Sequence, residues 1–159
     1  MRVVLGAVLV GYICSTAVQA GVSAPFTEDF SSNSANWRDV TGLASVDWNA
    51  AGGPDGGAFA STTLNFAALN ANDGPPLFRA QDEFNSSGGA FVGDWVGNDI
   101  TGFSAFVRHD APVPINFFAR FASPANSPGA IKVFFIPVAP NTWTSLNLTL
   151  PDPSMIFAL

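Results

Sequence analysis

Residues 100–121, ITGFSAFVRHDAPVPINFFARF, constrain the fold more than any other stretch of the chain. Before Pro112 and Pro114, alternate positions carry Phe103, Ala105 and Val107; after them, alternate positions carry Phe117, Ala119 and Phe121. A period of two is the pattern of a β-strand with one face in a core. Proline fixes φ and has no N–H to give to a ladder, so the alternation must break at a turn. The stretch is therefore expected to form two antiparallel strands folded back on Pro112. In that pairing Phe103 lies opposite Phe121, Ala105 opposite Ala119 and Val107 opposite Phe117, all on an apolar face. The other face is mixed, with Ser104 opposite Arg120, Phe106 opposite Phe118 and Arg108 opposite Asn116. Directly opposed aromatics such as Phe106 and Phe118 stabilise a strand pair.

The remaining chain repeats this theme in short segments. Residues 52–57, GGPDGG, cannot hold regular structure, because the glycines admit positive φ and Pro54 forces a turn. A strand is expected from residue 58 to 64. A long connection follows over residues 81–99, with a short strand at 90–92. Residues 123–129 read as a further turn, and residues 130–138, AIKVFFIPV, as an apolar strand whose Pro137 suits a strand end or edge. Residues 143–150 alternate cleanly, with Leu146, Leu148 and Leu150 on one side and Ser145, Asn147 and Thr149 on the other. No segment spaces its apolar residues at helical intervals. Only 11% of residues are charged, against roughly 25% in an average domain, and 15 Gly and 12 Pro stand in their place. Together these patterns predict an all-β, antiparallel sandwich of jelly-roll type.

Residues 1–20 have the layout of a secretory signal peptide: Arg2, an apolar run, then small residues ending in Val18-Gln19-Ala20. The expected organisation is this leader followed by one domain over residues 21–159. That domain is expected to lack its last strand or strands, because residues 155–159, MIFAL, are an apolar end with no closing segment. Cys14, the single cysteine, lies within the leader. Disulfides, cysteine-ligated metal and a cysteine nucleophile are thus excluded from the processed chain. The net charge of −6 becomes more negative when Arg2 is removed. Nucleic acid and an anionic membrane surface are accordingly poor partners. The expected location is outside the cell or on its surface.

Several pieces occur in an order that resembles secreted jelly-roll modules of the laminin B (laminin IV type A) and carbohydrate-binding kind, as found in exported bacterial proteins. They are Glu28-Asp29-Phe30 followed by Trp37, the loop GGPDGG before a strand, FRAQDEF and GGAFVGDW ahead of residues 100–121, and Trp143-Thr144 opening an alternating strand. The resemblance implies a galactose-binding-like β-sandwich that binds extracellular polysaccharide or matrix without catalysing a reaction. It also implies a structural calcium ion, for which Glu28, Asp29 and Asp55 are the candidate carboxylates beside the free carbonyls of the glycine loop. The plainer alternative is that each acid caps its own turn.

The candidate ligand surface is the mixed face of the central pair, with Phe106, Arg108, Asn116, Phe118 and Arg120, joined by Trp95 from the long connection. Aromatic rings among a few hydrogen-bonding groups suit a sugar. The alternative is that the connection around Phe91 and Trp95 covers this face, and that each tryptophan is core. Catalysis has little to draw on. His109 is the only histidine and sits beside Asp110 at a strand end, and no metal-protease or phosphate-loop motif is present. Two-carboxylate glycoside hydrolysis, with acids such as Glu83 and Asp94, is the enzyme class the composition permits, but nothing singles out a pair. Two further functions remain open: a structural or adhesive surface protein with no small ligand, and an accessory domain of a secreted glycoside hydrolase.

Overall fold

The computed structural model describes residues 2–8, 22, 24–39, 41–64, 78–123, 126–150 and 156–157. Strands dominate, and the described helical structure is limited to the short 3-10 turns Asp82–Phe84 and Ser86–Gly89. The strands are β1 (Arg2–Val8), β2 (Asp47–Asn49), β3 (Phe59–Thr63), β4 (Gly102–His109), β5 (Ile115–Ser123), β6 (Asn126–Val138), β7 (Thr144–Thr149) and β8 (Ile156–Phe157). They form a five-stranded sheet of order β2-β3-β1-β4-β7 and a three-stranded sheet of order β5-β6-β8. Every pairing is antiparallel.

The expected pairing of residues 100–121 is corrected here. β4 pairs with β1 and β7, whereas β5 pairs with β6 in the other sheet. The proline-bearing connection is a crossover between sheets. The face assignment nevertheless holds. Phe103, Ala105 and Val107 are buried, and Phe117, Ala119 and Phe121 pack against the same core from the opposite side. The Phe103 and Phe121 rings meet edge to face at 5.9 Å. They do so across the interior rather than across a ladder. The reason is geometric: two strands with one apolar face each can bury those faces side by side over a third element, or against each other.

The core is rich in edge-to-face aromatics, a favoured ring geometry. Phe30 packs on Trp37, Trp37 on Phe91, and Trp95 on Phe121. The connection over residues 81–99 thus delivers Phe91 and Trp95 into the interior, and only an isolated bridge residue stands where a strand at 90–92 is expected. The turn expected at residues 123–129 is shorter than that, since β6 begins at Asn126 and Ser123 pairs with it. The glycine loop is as tight as its composition requires: a Cβ on Gly53 would stand 2.8 Å from the Ala58 carbonyl oxygen. Trp143 Nε1 donates to the Gly52 carbonyl at 3.0 Å and its ring packs on Phe59. This pins the loop to the start of β7.

His109 joins the two sheets. It ends β4, is 1% exposed, and its Nδ1 accepts the Ala111 N–H at 3.2 Å. The proton is therefore on Nε2, which donates to the Val138 carbonyl of β6 at 2.8 Å. Both ring nitrogens are engaged in holding backbone.

The N-terminal segment is the least expected part of the fold. Residues expected to leave as a leader form β1, seated between β3 and β4. Its run of Val3, Val4 and Leu5 is a good strand former, and its backbone satisfies a ladder on each side. Residues 9–21, with Cys14 and the expected cleavage site, lie outside the described residues.

A candidate binding face on the five-stranded sheet

The alternation that buries Phe103, Ala105 and Val107 sends Ser104, Phe106 and Arg108 to the opposite face of β4. The register places small polar residues beside them. Ser104 is opposite Asn147 and Phe106 is opposite Ser145 on β7. On its other side Phe106 is opposite Gly6, which has no side chain to screen the ring. Farther across the sheet, Ser61 pairs with Asp47, and Phe59 with Asn49. Phe106 is 39% exposed, which makes it one of the large apolar side chains open to solvent. Ser145 and Asn147 hydrogen-bond each other at 3.1 Å, and Asn49 Nδ2 donates to Ser61 Oγ at 3.0 Å. The result is a sheet face on which the partly open Phe106 ring stands among Ser104, Arg108 and the Ser145–Asn147 pair.

The six residues expected to share one ligand surface are divided by the structure. Phe106 and Arg108 lie on this outer face of the five-stranded sheet. Asn116, Phe118 and Arg120 lie on the outer face of the three-stranded sheet, on the far side of the core, because their neighbours Phe117, Ala119 and Phe121 point inward. Trp95 is buried, with its Nε1 donating to the Phe91 carbonyl at 3.3 Å. A single surface therefore cannot use all six. The covering role expected of the 81–99 connection also fails, since Phe91 and Trp95 go into the core and leave Phe106 open.

The outer face of the three-stranded sheet has a different character. Phe118 is opposite Val133 and Arg120 opposite Ile131, and Phe135, two residues beyond Val133 on the same side of β6, is 79% exposed. It is an aliphatic and aromatic surface with few hydrogen-bonding side chains.

The carboxylates proposed for calcium are each occupied locally. Glu28 Oε1 accepts the Phe30 N–H at 2.8 Å, Asp29 Oδ1 that of Ser31 at 2.9 Å, and Asp55 Oδ1 that of Gly57 at 2.9 Å. These are side-chain-to-backbone turns, which isolated Asp and Glu form readily in loops. Among the described residues no group of three or more metal-ligating side chains converges. Glu28 instead supports the backbone at Phe30, whose φ of 53° is strained for a bulky residue. Glu28 holds Phe30 at its N–H, and Trp48 Nε1 holds it at its carbonyl, 2.7 Å away.

Sequence reasoning found Phe106 and Arg108 but not their companions. Ser145 and Asn147 read as the polar side of an alternating strand, and only the register shows that they border Phe106. No described helix is long and apolar enough to cross a membrane. Comparison with protein-family models, with curated proteins and with solved structures gives no match to this chain.

Proposed function

We propose that this chain is an exported, noncatalytic binding module of jelly-roll type that holds extracellular polysaccharide on the outer face of the five-stranded sheet. The observation that carries this reading is the open Phe106 ring among Ser104, Ser145, Asn147 and Arg108. A flat aromatic surface accepts the apolar face of a sugar ring, while hydroxyl and amide groups at its border exchange hydrogen bonds with sugar hydroxyls. The engagement of both His109 nitrogens with backbone supports a role without proton transfer. The resemblance to laminin B and carbohydrate-binding modules points the same way.

Affinity electrophoresis of the chain through gels containing soluble plant, microbial and matrix polysaccharides tests the proposal. Retardation by at least one of them is expected. Unretarded migration through all of them would reject it. The adhesive reading then takes its place, favoured by the open Phe135 and Ile136 of the three-stranded sheet.

A further inference from the structure

β3 and β4 do not touch through their ladders; β1 lies between them and pairs with both. Val3 is opposite Thr62 on one side and His109 on the other, and Val4 is opposite Ser61 and Arg108. Because β3 and β4 are each antiparallel to β1, they run parallel to each other across a slot one strand wide. The flanking positions are deep in the protein, with Ala60 and Ser61 fully buried in β3 and His109 at 1% exposure in β4.

Removing β1 would leave two rows of unpaired N–H and C=O groups facing each other. The rows would stand about twice the ~4.8 Å interstrand spacing apart. Direct closure would have to carry β3 toward β4 against two anchors. β3 is held through the Phe59–Trp143 contact to the head of β7, and β4 is held to the other sheet by the His109–Val138 bond. Open facing edges of this kind take up an extended strand, since backbone hydrogen bonds supply affinity for any sequence that can lie flat. The strand that does so here has the sequence RVVLGAV, aliphatic or glycine after Arg2, with Gly6 opposite Phe106.

We propose that the slot between β3 and β4 is a strand-acceptor site, filled here by residues 2–8 and, once these are removed, by an extended aliphatic segment of a partner protein added antiparallel to both neighbours. The release step rests on the export reading above; the acceptor property does not.

The test uses the full chain with a specific protease site inserted after Ala20, cut after folding. A labelled peptide of residues 2–8, RVVLGAV, is then added and followed by fluorescence anisotropy and native mass spectrometry. The expected result is exchange of the labelled peptide into the cut protein. A control peptide carrying Val4→Pro, which removes a ladder donor, should bind at least tenfold more weakly. A cut protein that stays folded, loses residues 2–8 and takes up no peptide overturns the proposal. If cutting precipitates the protein, precipitation prevented by RVVLGAV and not by the control supports it. Precipitation regardless of peptide is decided by hydrogen exchange on the uncut chain: β3 and β4 amides protected as strongly as those of β7 support the slot, and exchange as fast as in β2 overturns it. N-terminal sequencing of the exported protein separates the two readings, because retention of Arg2 rejects release without bearing on peptide uptake.

Discussion

β4 carries two regions back to back, and they differ in everything except the backbone they share. Its inner side, Phe103, Ala105, Val107 and His109, is sealed against Leu146 and Leu148 of its own sheet and against Phe117 and Phe121 of the other. Its outer side, Ser104, Phe106 and Arg108, faces solvent beside Ser145 and Asn147. The inner side makes the fold unique, and the outer side is free to serve a ligand. Substitutions on the two sides should therefore separate stability from binding.

The largest effect is expected on the inner side. Phe103→Ala removes a ring that meets Phe121 and leaves a cavity between the sheets. Core Phe→Ala changes cost about 3–5 kcal/mol, so a urea titration should show a midpoint far below that of the parent. His109→Ala comes next. It strands the Val138 carbonyl and the Ala111 N–H, two buried polar groups at about 1–3 kcal/mol each. His109→Gln, which can still donate, should recover part of the loss in the same titration.

On the outer side Phe106→Ala should move the urea midpoint little, by about 1 kcal/mol or less. A loss from Phe106→Ala as large as that from Phe103→Ala would break the division between the faces. The smallest effect belongs to a loop outside both regions. Burial raises the Asp39 carboxyl pKa, but the Thr41 hydroxyl at 2.6 Å and the backbone amides around it outweigh burial and hold it below its ordinary 3.8. A lowered folded value stabilises above the unfolded pKa, and that contribution fades as pH falls from about 3.8 through the lowered value. Asp39→Asn should accordingly be slightly destabilising at pH 7, with the difference from the parent shrinking in melts below that window.

Legibility in the sequence followed the same division. The period of two around residues 103–121 told which side chains face inward, because burial on one face enforces alternation whatever the partner strand is. It could not tell which strands pair. The expected hairpin and the crossover now seen bury the same residues, and they differ in whether Phe103 meets Phe121 along a ladder or across the core. This choice also decided the site: a hairpin would have joined Phe106 to Phe118, whereas the crossover sends them to opposite sides of the protein. The alternation of residues 144–149 and the tight loop at 52–57 were readable, since each depends on residues close in sequence. The seating of residues 2–8 was hidden, because an apolar run ahead of small residues describes a leader and a central strand equally well.

If the outer face of β4 is the binding surface, paired substitutions on the two sheets will separate it from its counterpart on β5. Affinity electrophoresis of Phe106→Ala and Phe118→Ala, each beside the parent in a gel containing a polysaccharide that retards it, compares the two outer faces in one experiment. Phe106→Ala should weaken retention at least tenfold, or about 1.4 kcal/mol, while Phe118→Ala migrates like the parent. Retention lost in Phe118→Ala and kept in Phe106→Ala would place the binding surface on the three-stranded sheet instead.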